Sequence, residues 1–218
     1  MMTEKINNIL GVDDIFKAPD RVMNILLDKP LREHVFIQLL ELFPGKLDFD
    51  FWHVYFQEEA AQRKKMGQDF TPECVALLLA ELTKGFNGMY YEVAAGTGGL
   101  CIAKWASDRN VYMPWDYKPS NFLYICEELS DRTLPFLVLN MAIRGMNGAA
   151  IHVDSLTRDC YGIFFIQNDA DNPVGFSSIN IMPYSEQAAD YFKVKFVEQR
   201  YPAHIESPLL FDMPEAVI

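Results

Sequence analysis

Apolar residues recur at helical spacing through the first third of the chain. In VMNILLDKPLREHVFIQLLELF (residues 22–43) they fall three and four apart. This predicts helix, with a break near Pro30 and a stop before Pro44-Gly45. DFDFWHVYFQEEAAQRKK predicts another helix over 48–65, ended by Gly67. Thr71 is a candidate N-cap with Pro72 at the first helical position, and the helix they open, ECVALLLAELTKG, closes at Gly85.

From residue 89 the pattern changes. MYYEVAAGTGGLCIAKWA reads as strand, glycine loop and helix. NFLYICEEL reads as a strand, LPFLVLNMAIRG as a helix, and AAIHVDSL and GIFFIQND as strands. That order implies a parallel sheet with helices on its faces. Only about ten residues then precede another strand-like run, FSSINIMP, and a parallel crossover needs about a dozen or more. An antiparallel hairpin is predicted instead, with NDADNPVG (168–175) as a loop of ordinary turn residues. YFKVKFVEQR predicts a last strand at a sheet edge. The fold class is therefore α/β, a mostly parallel sheet with antiparallel strands at its C-terminal end. Residues 1–66 form a helical region and 67–218 the α/β domain.

Composition narrows the function. A chain of 218 residues, half of them hydrophobic, suits one domain with a small appendage. A net charge of −11 repels the phosphate backbone that supplies most nonspecific nucleic-acid affinity. The basic cluster Arg63-Lys64-Lys65 reads as a solvated helix end. Cys74, Cys101, Cys126 and Cys160 show no Cys-x-x-Cys spacing, and the four histidines show no metal spacing, so neither a disulfide framework nor a zinc site is expected. No run approaches the roughly 18 apolar residues of a membrane span. MMTEKINNILGVDD carries no apolar signal region, and a reducing cytoplasm is the expected setting.

Glu92 to Gly99, EVAAGTGG, follows a predicted strand and opens a helix. Small residues there let a ligand approach the backbone at a helix N-terminus. The loop is neither a P-loop nor the dinucleotide pattern G-x-G-x-x-G. A nicotinamide-binding unit stays open on the residues alone, although its acidic ribose ligand usually lies about 20 residues past the glycines. Here Glu128 lies farther on, after DRNVYMPWDYKPS (108–120), whose aromatic residues read as packing. Glu92, Glu128 and Asp154 fall at or near the C-terminal ends of three successive predicted strands, where such sheets bind ligands.

In these motifs the chain resembles the methylase (modification) subunits of type I restriction-modification systems, which are adenine-specific DNA methyltransferases. Their cofactor loop, Asp-Pro-x-x-Gly-Thr-Gly-Gly, is matched by Glu92-Val93-Ala94-Ala95-Gly96-Thr97-Gly98-Gly99. Their Gly-Gln-x-Phe-Thr-Pro segment is matched by Gly67-Gln68-Asp69-Phe70-Thr71-Pro72. Glu128 followed by Asn140-Met141 and Gly145, and then Val153-Asp154-Ser155-Leu156, continue the family order. The resemblance implies a Rossmann-like methyltransferase sheet and S-adenosylmethionine as cofactor. It implies that Glu92 binds the cofactor's amino group, that Gly96 and Gly98 pass the methionine portion, and that Glu128 accepts from the ribose hydroxyls. Asp154 would sit beside the adenine, and Phe70, Thr71 and Pro72 would cap the pocket. Ala94, Thr97 and Ser155 complete the implied cofactor-binding set.

The catalytic motif departs from the family. Adenine methyltransferases carry Asn/Asp-Pro-Pro-Tyr/Phe after the fourth strand. The Asn or Asp side chain and a backbone carbonyl accept the amino hydrogens of a flipped adenine, and the aromatic residue stacks on it. Asn168 has the position but lacks both prolines and the aromatic. Asn172-Pro173 has one proline, then Val174, with Phe176 displaced by two. Asn168, Asn172 and Pro173 are the catalytic candidates. The reading is a cofactor-binding relative whose catalysis is in doubt, reaching DNA only through a partner such as a specificity subunit. The alternatives are an active adenine methyltransferase module that needs that partner, and methyl transfer to a protein or small molecule.

Overall fold

The computed structural model describes residues 2–53, 55, 56, 73–82 and 88–208. Three helices open the chain: α1 (Met2–Leu10), α2 (Ala18–Leu26) and α3 (Lys29–Leu42). The break predicted near Pro30 falls at Leu27 and Asp28. Asp28 caps α3 by accepting the Leu31 N–H at 3.2 Å, and Pro30 sits in the first turn, where an N–H has no helical partner to lose. Residues 51–53, 55 and 56 are helical, inside the span predicted from 48 to 65. The remainder of that helix, the Thr71 cap, Pro72 and the Gly85 stop lie outside the described residues. α4 (Glu73–Leu82) follows.

The sheet begins with β1 (Met89–Val93), then α5 (Gly99–Arg109), β2 (Leu123–Glu128), α6 (Leu134–Ile143) and β3 (Gly148–Val153). These three strands are parallel, with Glu92 beside Cys126 and Cys126 beside Ala150. β4 (Asp159–Gln167) returns antiparallel to β3, and β5 (Ser178–Ile181) antiparallel to β4. The predicted hairpin is therefore present, with NDADNPVG in its loop. Strand order is β1-β2-β3-β4-β5, so β1 is an edge strand among the described residues.

Every residue of α6 is buried. A helix apolar all round must be covered on all sides. The sheet covers one side and the N-terminal region the other: α2 packs along α6, and the Trp52 and Phe56 rings lie 4.6 and 5.0 Å from the Phe136 ring. One hydrophobic core thus runs from Ile6 and Leu10 to Phe164 and Ile181. Arg32 adds a polar tie. It is wholly buried on α3 and grips Glu206 through two hydrogen bonds of 2.5 and 2.6 Å.

The opposite face is covered only in part. α7 (Glu186–Phe192), capped by Ser185, packs Phe192 and the following Val194 against Ile151, Ile163 and Phe165. Met89, Tyr91 and Val93 on the same face of β1 stay exposed. The predicted last strand, YFKVKFVEQR, needs correction. Tyr191 and Phe192 end α7, Lys193 turns left-handed at φ 54°, and only Lys195–Phe196 pair as β6, parallel to β4. The alternation arose because a helix end and a short strand together put Phe192, Val194 and Phe196 on one side. In the 108–120 insertion the Tyr117 ring stacks on Phe122 at 5.6 Å, as packing predicts, while Trp115 stays exposed.

Candidate functional site

The C-terminal ends of β1, β2 and β3 meet at one edge of the sheet, and the glycine loop crosses there. After Val93 the chain turns at Ala94, whose φ of 55° is uncommon for a residue with a Cβ. The Ala95 N–H donates to the Glu127 carbonyl at 2.9 Å, and the Gly98 N–H to the Ala95 carbonyl at 2.9 Å. Gly96 and Gly98 hold φ of 60° and 93°, which glycine adopts without strain. A Cβ on Gly96 would meet no atom of the described residues within 4 Å, so among them open space lies beside this backbone. α5 starts at Gly99, and its first N–H groups add the partial positive charge of a helix N-terminus.

Glu92 lies on the α5 side of β1. Its Oε2 accepts the Tyr90 hydroxyl at 3.0 Å, and the Cys101 amide also donates to it. Burial pushes its carboxyl up to about 7, against a smaller lowering by those hydrogen bonds. No cation among the described residues pairs with it. A half-buried carboxylate without a counter-ion is suited to a cationic ligand group.

Glu128 is engaged within the loop. Its Oε2 accepts the Gly96 N–H at 2.6 Å and its Oε1 accepts the Ser130 N–H at 2.8 Å. It therefore ties the end of β2 to the glycine loop, with further lone pairs left for a ligand hydroxyl. Asp154, at the same sheet edge, closes the β3–β4 turn: its Oδ1 accepts the Leu156 and Thr157 N–H groups at 2.8 and 3.2 Å. The Ser155 side chain hydrogen-bonds Glu127. The Thr97 side chain is buried and donates inward to Asp50. Glu92, Ala94, Gly96, Thr97, Gly98, Glu128, Asp154 and Ser155 thus gather at one end of the sheet. Phe70, Thr71 and Pro72 lie outside the described residues.

The catalytic candidates are not brought to this end. β4 runs antiparallel to β3, so Asn168 emerges beside Asn147, at the start of the parallel strands. A six-residue strand separates the two ends by about 20 Å. Asn168 Nδ2 donates to the Gly145 and Asn172 carbonyls at 3.0 and 2.8 Å, and its Oδ1 accepts the Asn172 N–H at 3.0 Å. Asn172 Oδ1 accepts the Val174 N–H at 3.1 Å. Pro173 lies within this turn, so the stretch holds its own backbone together.

Sequence reasoning missed two groups. Glu127 accepts Tyr91 Oη at 2.6 Å and Arg158 Nη1 at 2.7 Å on the other sheet face. Burial alone would raise its carboxyl, but these donors outweigh burial and hold it below the ordinary range. Asp50 meets the loop from the N-terminal region, and no local pattern around it signals that contact.

Comparison of the sequence with known proteins leads to the resembled family. The profile of the N-6 DNA methylase family matches residues 50–189, more than half the chain. The chain is also 28% identical over 95 residues to the type I restriction enzyme HindI methylase subunit of Haemophilus influenzae. That stretch is 43% of this chain and 20% of the relative.

Proposed function

Because this chain belongs to the N-6 DNA methylase family, we propose that its glycine loop binds S-adenosylmethionine and that the chain alone does not methylate DNA. It acts in the cytoplasm as a subunit of a restriction-modification type assembly and reaches DNA through a partner, such as a specificity subunit. The observation that carries this reading is the separation of the glycine loop from NDADNPVG by the length of the sheet. The cofactor would supply an electrophilic methyl group.

The residues present fit that cofactor. Glu92, half-buried and without a counter-ion among the described residues, would take the amino group and lose its proton as it does so. The space beside Gly96, open among the described residues, would take the methionine portion. Glu128 retains lone pairs for the ribose hydroxyls while it anchors Gly96. No group at this edge among the described residues matches the Asn-Pro-Pro-aromatic constellation that would accept an adenine amino hydrogen. The net charge of −11 supports contact with DNA through a partner.

The test is calorimetric titration with S-adenosylmethionine, beside a methyl-transfer assay on mixed DNA with and without candidate partner subunits. Binding that Glu92→Ala abolishes, with no methyl transfer by the chain alone, is the expected result. No binding at millimolar cofactor would end the cofactor reading. Adenine methylation by the chain, alone or with a partner subunit, that is lost in Asn168→Ala or Asn172→Ala would establish the active-module reading instead.

A further inference from the structure

Asp50 is distant from the sheet in sequence, yet it is buried against the glycine loop. Its Oδ2 accepts the Thr97 hydroxyl at 2.5 Å. Its Oδ1 accepts Asn140 Nδ2 at 2.9 Å and the Trp52 N–H at 3.1 Å. The same Asn140 Nδ2 donates to the Thr97 carbonyl at 2.7 Å. Arg144 completes the network. Its Nη1 donates to Asn140 Oδ1 at 2.8 Å, and its Nε and Nη2 donate to the Leu47 and Phe49 carbonyls, both at 2.7 Å. Residues 47–52, the glycine loop and α6 are thereby joined by one buried set of hydrogen bonds.

Thr97 stands between Gly96 and Gly98, the two left-handed residues that give the loop its shape. Its hydroxyl and its carbonyl are both held by this network, so the network fixes the orientation of the peptides on either side. Every group aimed at the Asp50 carboxylate is a donor: a hydroxyl, a side-chain amide and a backbone N–H. A carboxylate accepts from all three, whereas an Asn at this position would turn an NH2 toward one of them.

We infer that Asp50 is a positioning residue for cofactor binding. It holds Thr97, and with it Gly96 to Gly98, in the shape that admits the ligand. Docking of residues 47–52 and binding at the loop are then two ends of one coupling, and each strengthens the other by the same factor. The inference rests on the S-adenosylmethionine reading above.

The experiment uses the full chain, S-adenosylmethionine titration and amide hydrogen exchange, with Asp50→Asn and Thr97→Val. Thr97→Val removes one hydroxyl and keeps the side-chain shape, so it decides the question if Asp50→Asn does not fold. Each variant is expected to weaken cofactor binding about tenfold, within the usual range for coupled sites. Without ligand, exchange at residues 96–99 is expected to rise while β3 and β4 keep their protection. Both substitutions act within one network, so the double variant should lose less affinity than the two single losses added together. A purely structural role would lower the melting temperature and leave affinity and loop exchange unchanged in the folded variants. That result beside normal wild-type binding overturns the inference alone. Absence of wild-type binding overturns the cofactor reading and the coupling with it.

Discussion

At the C-terminal ends of β1–β3 the loop around Gly96 leaves space beside its backbone, and Glu92 there has no cationic partner among the described residues. At the other end the NDADNPVG loop closes on itself, with both functional atoms of the Asn168 side chain hydrogen-bonded. The residue types overlap: glycines, asparagines and carboxylates stand at both. The difference is where the backbone donors and acceptors find partners. A loop that opens a helix leaves N–H groups and space for a ligand, whereas a short hairpin turn uses its polar side chains to satisfy its own backbone.

Unlocking the filled end should change stability most. Glu206 accepts from Arg32 and from the Ile179 N–H of β5, close to the hairpin loop. Arg32→Ala leaves the buried Glu206 carboxylate with only His204 and the Ile179 N–H as partners, and should cost about 3–5 kcal/mol in chemical denaturation. Cofactor affinity of the folded fraction should not change. A loss of affinity there would mean that the two ends are energetically one unit.

Glu92 gives the next effect, as a dependence on pH. Its carboxyl stands at about 7, raised from the ordinary 4.5 by burial. The folded state therefore holds the proton more tightly than the unfolded chain. That contribution is full below about 4.5 and is lost as pH rises toward 7. Glu92→Gln, which never ionises, should gain about 3 kcal/mol on the wild type between pH 4 and pH 8. Cofactor affinity of the wild type should rise over the same window, because the cationic amino group needs the carboxylate, and Glu92→Gln should flatten that rise. A flat wild-type profile would remove Glu92 from the site.

Asn168→Ala deletes three hydrogen bonds at the turn and should cost about 1–3 kcal/mol of stability, read from denaturant midpoints. Cofactor binding should stay within error. The smallest effect is Ala94→Gly. It relieves a φ of 55° and should add at most about 1 kcal/mol, partly offset by the greater freedom of glycine in the unfolded chain. A stabilisation accompanied by weaker binding would mean that the strain at Ala94 serves the ligand.

The element order was readable because it depends on local signals. The turn at NDADNPVG, the helix break near Pro30 and the glycine loop each follow from a few adjacent residues. The hairpin followed from chain length alone, since too few residues separate the two runs for a crossover. YFKVKFVEQR was misread because alternation over ten residues can come from a helix end joined to a two-residue strand. The left-handed turn at Lys193 that separates them has no glycine or asparagine to announce it.

The α/β order, the glycine loop and the three carboxylates at successive strand ends are legible in the residues alone, because strand direction and period are local properties. How those parts are used depends on packing between distant elements. The tertiary structure turned β4 back along β3 and so carried Asn168 to the far end of the sheet. It surrounded α6 with the N-terminal helices and brought Asp50 to Thr97 across 47 positions of chain. The partners of a buried polar atom are set by packing between elements distant in sequence, and no local pattern specifies which they will be.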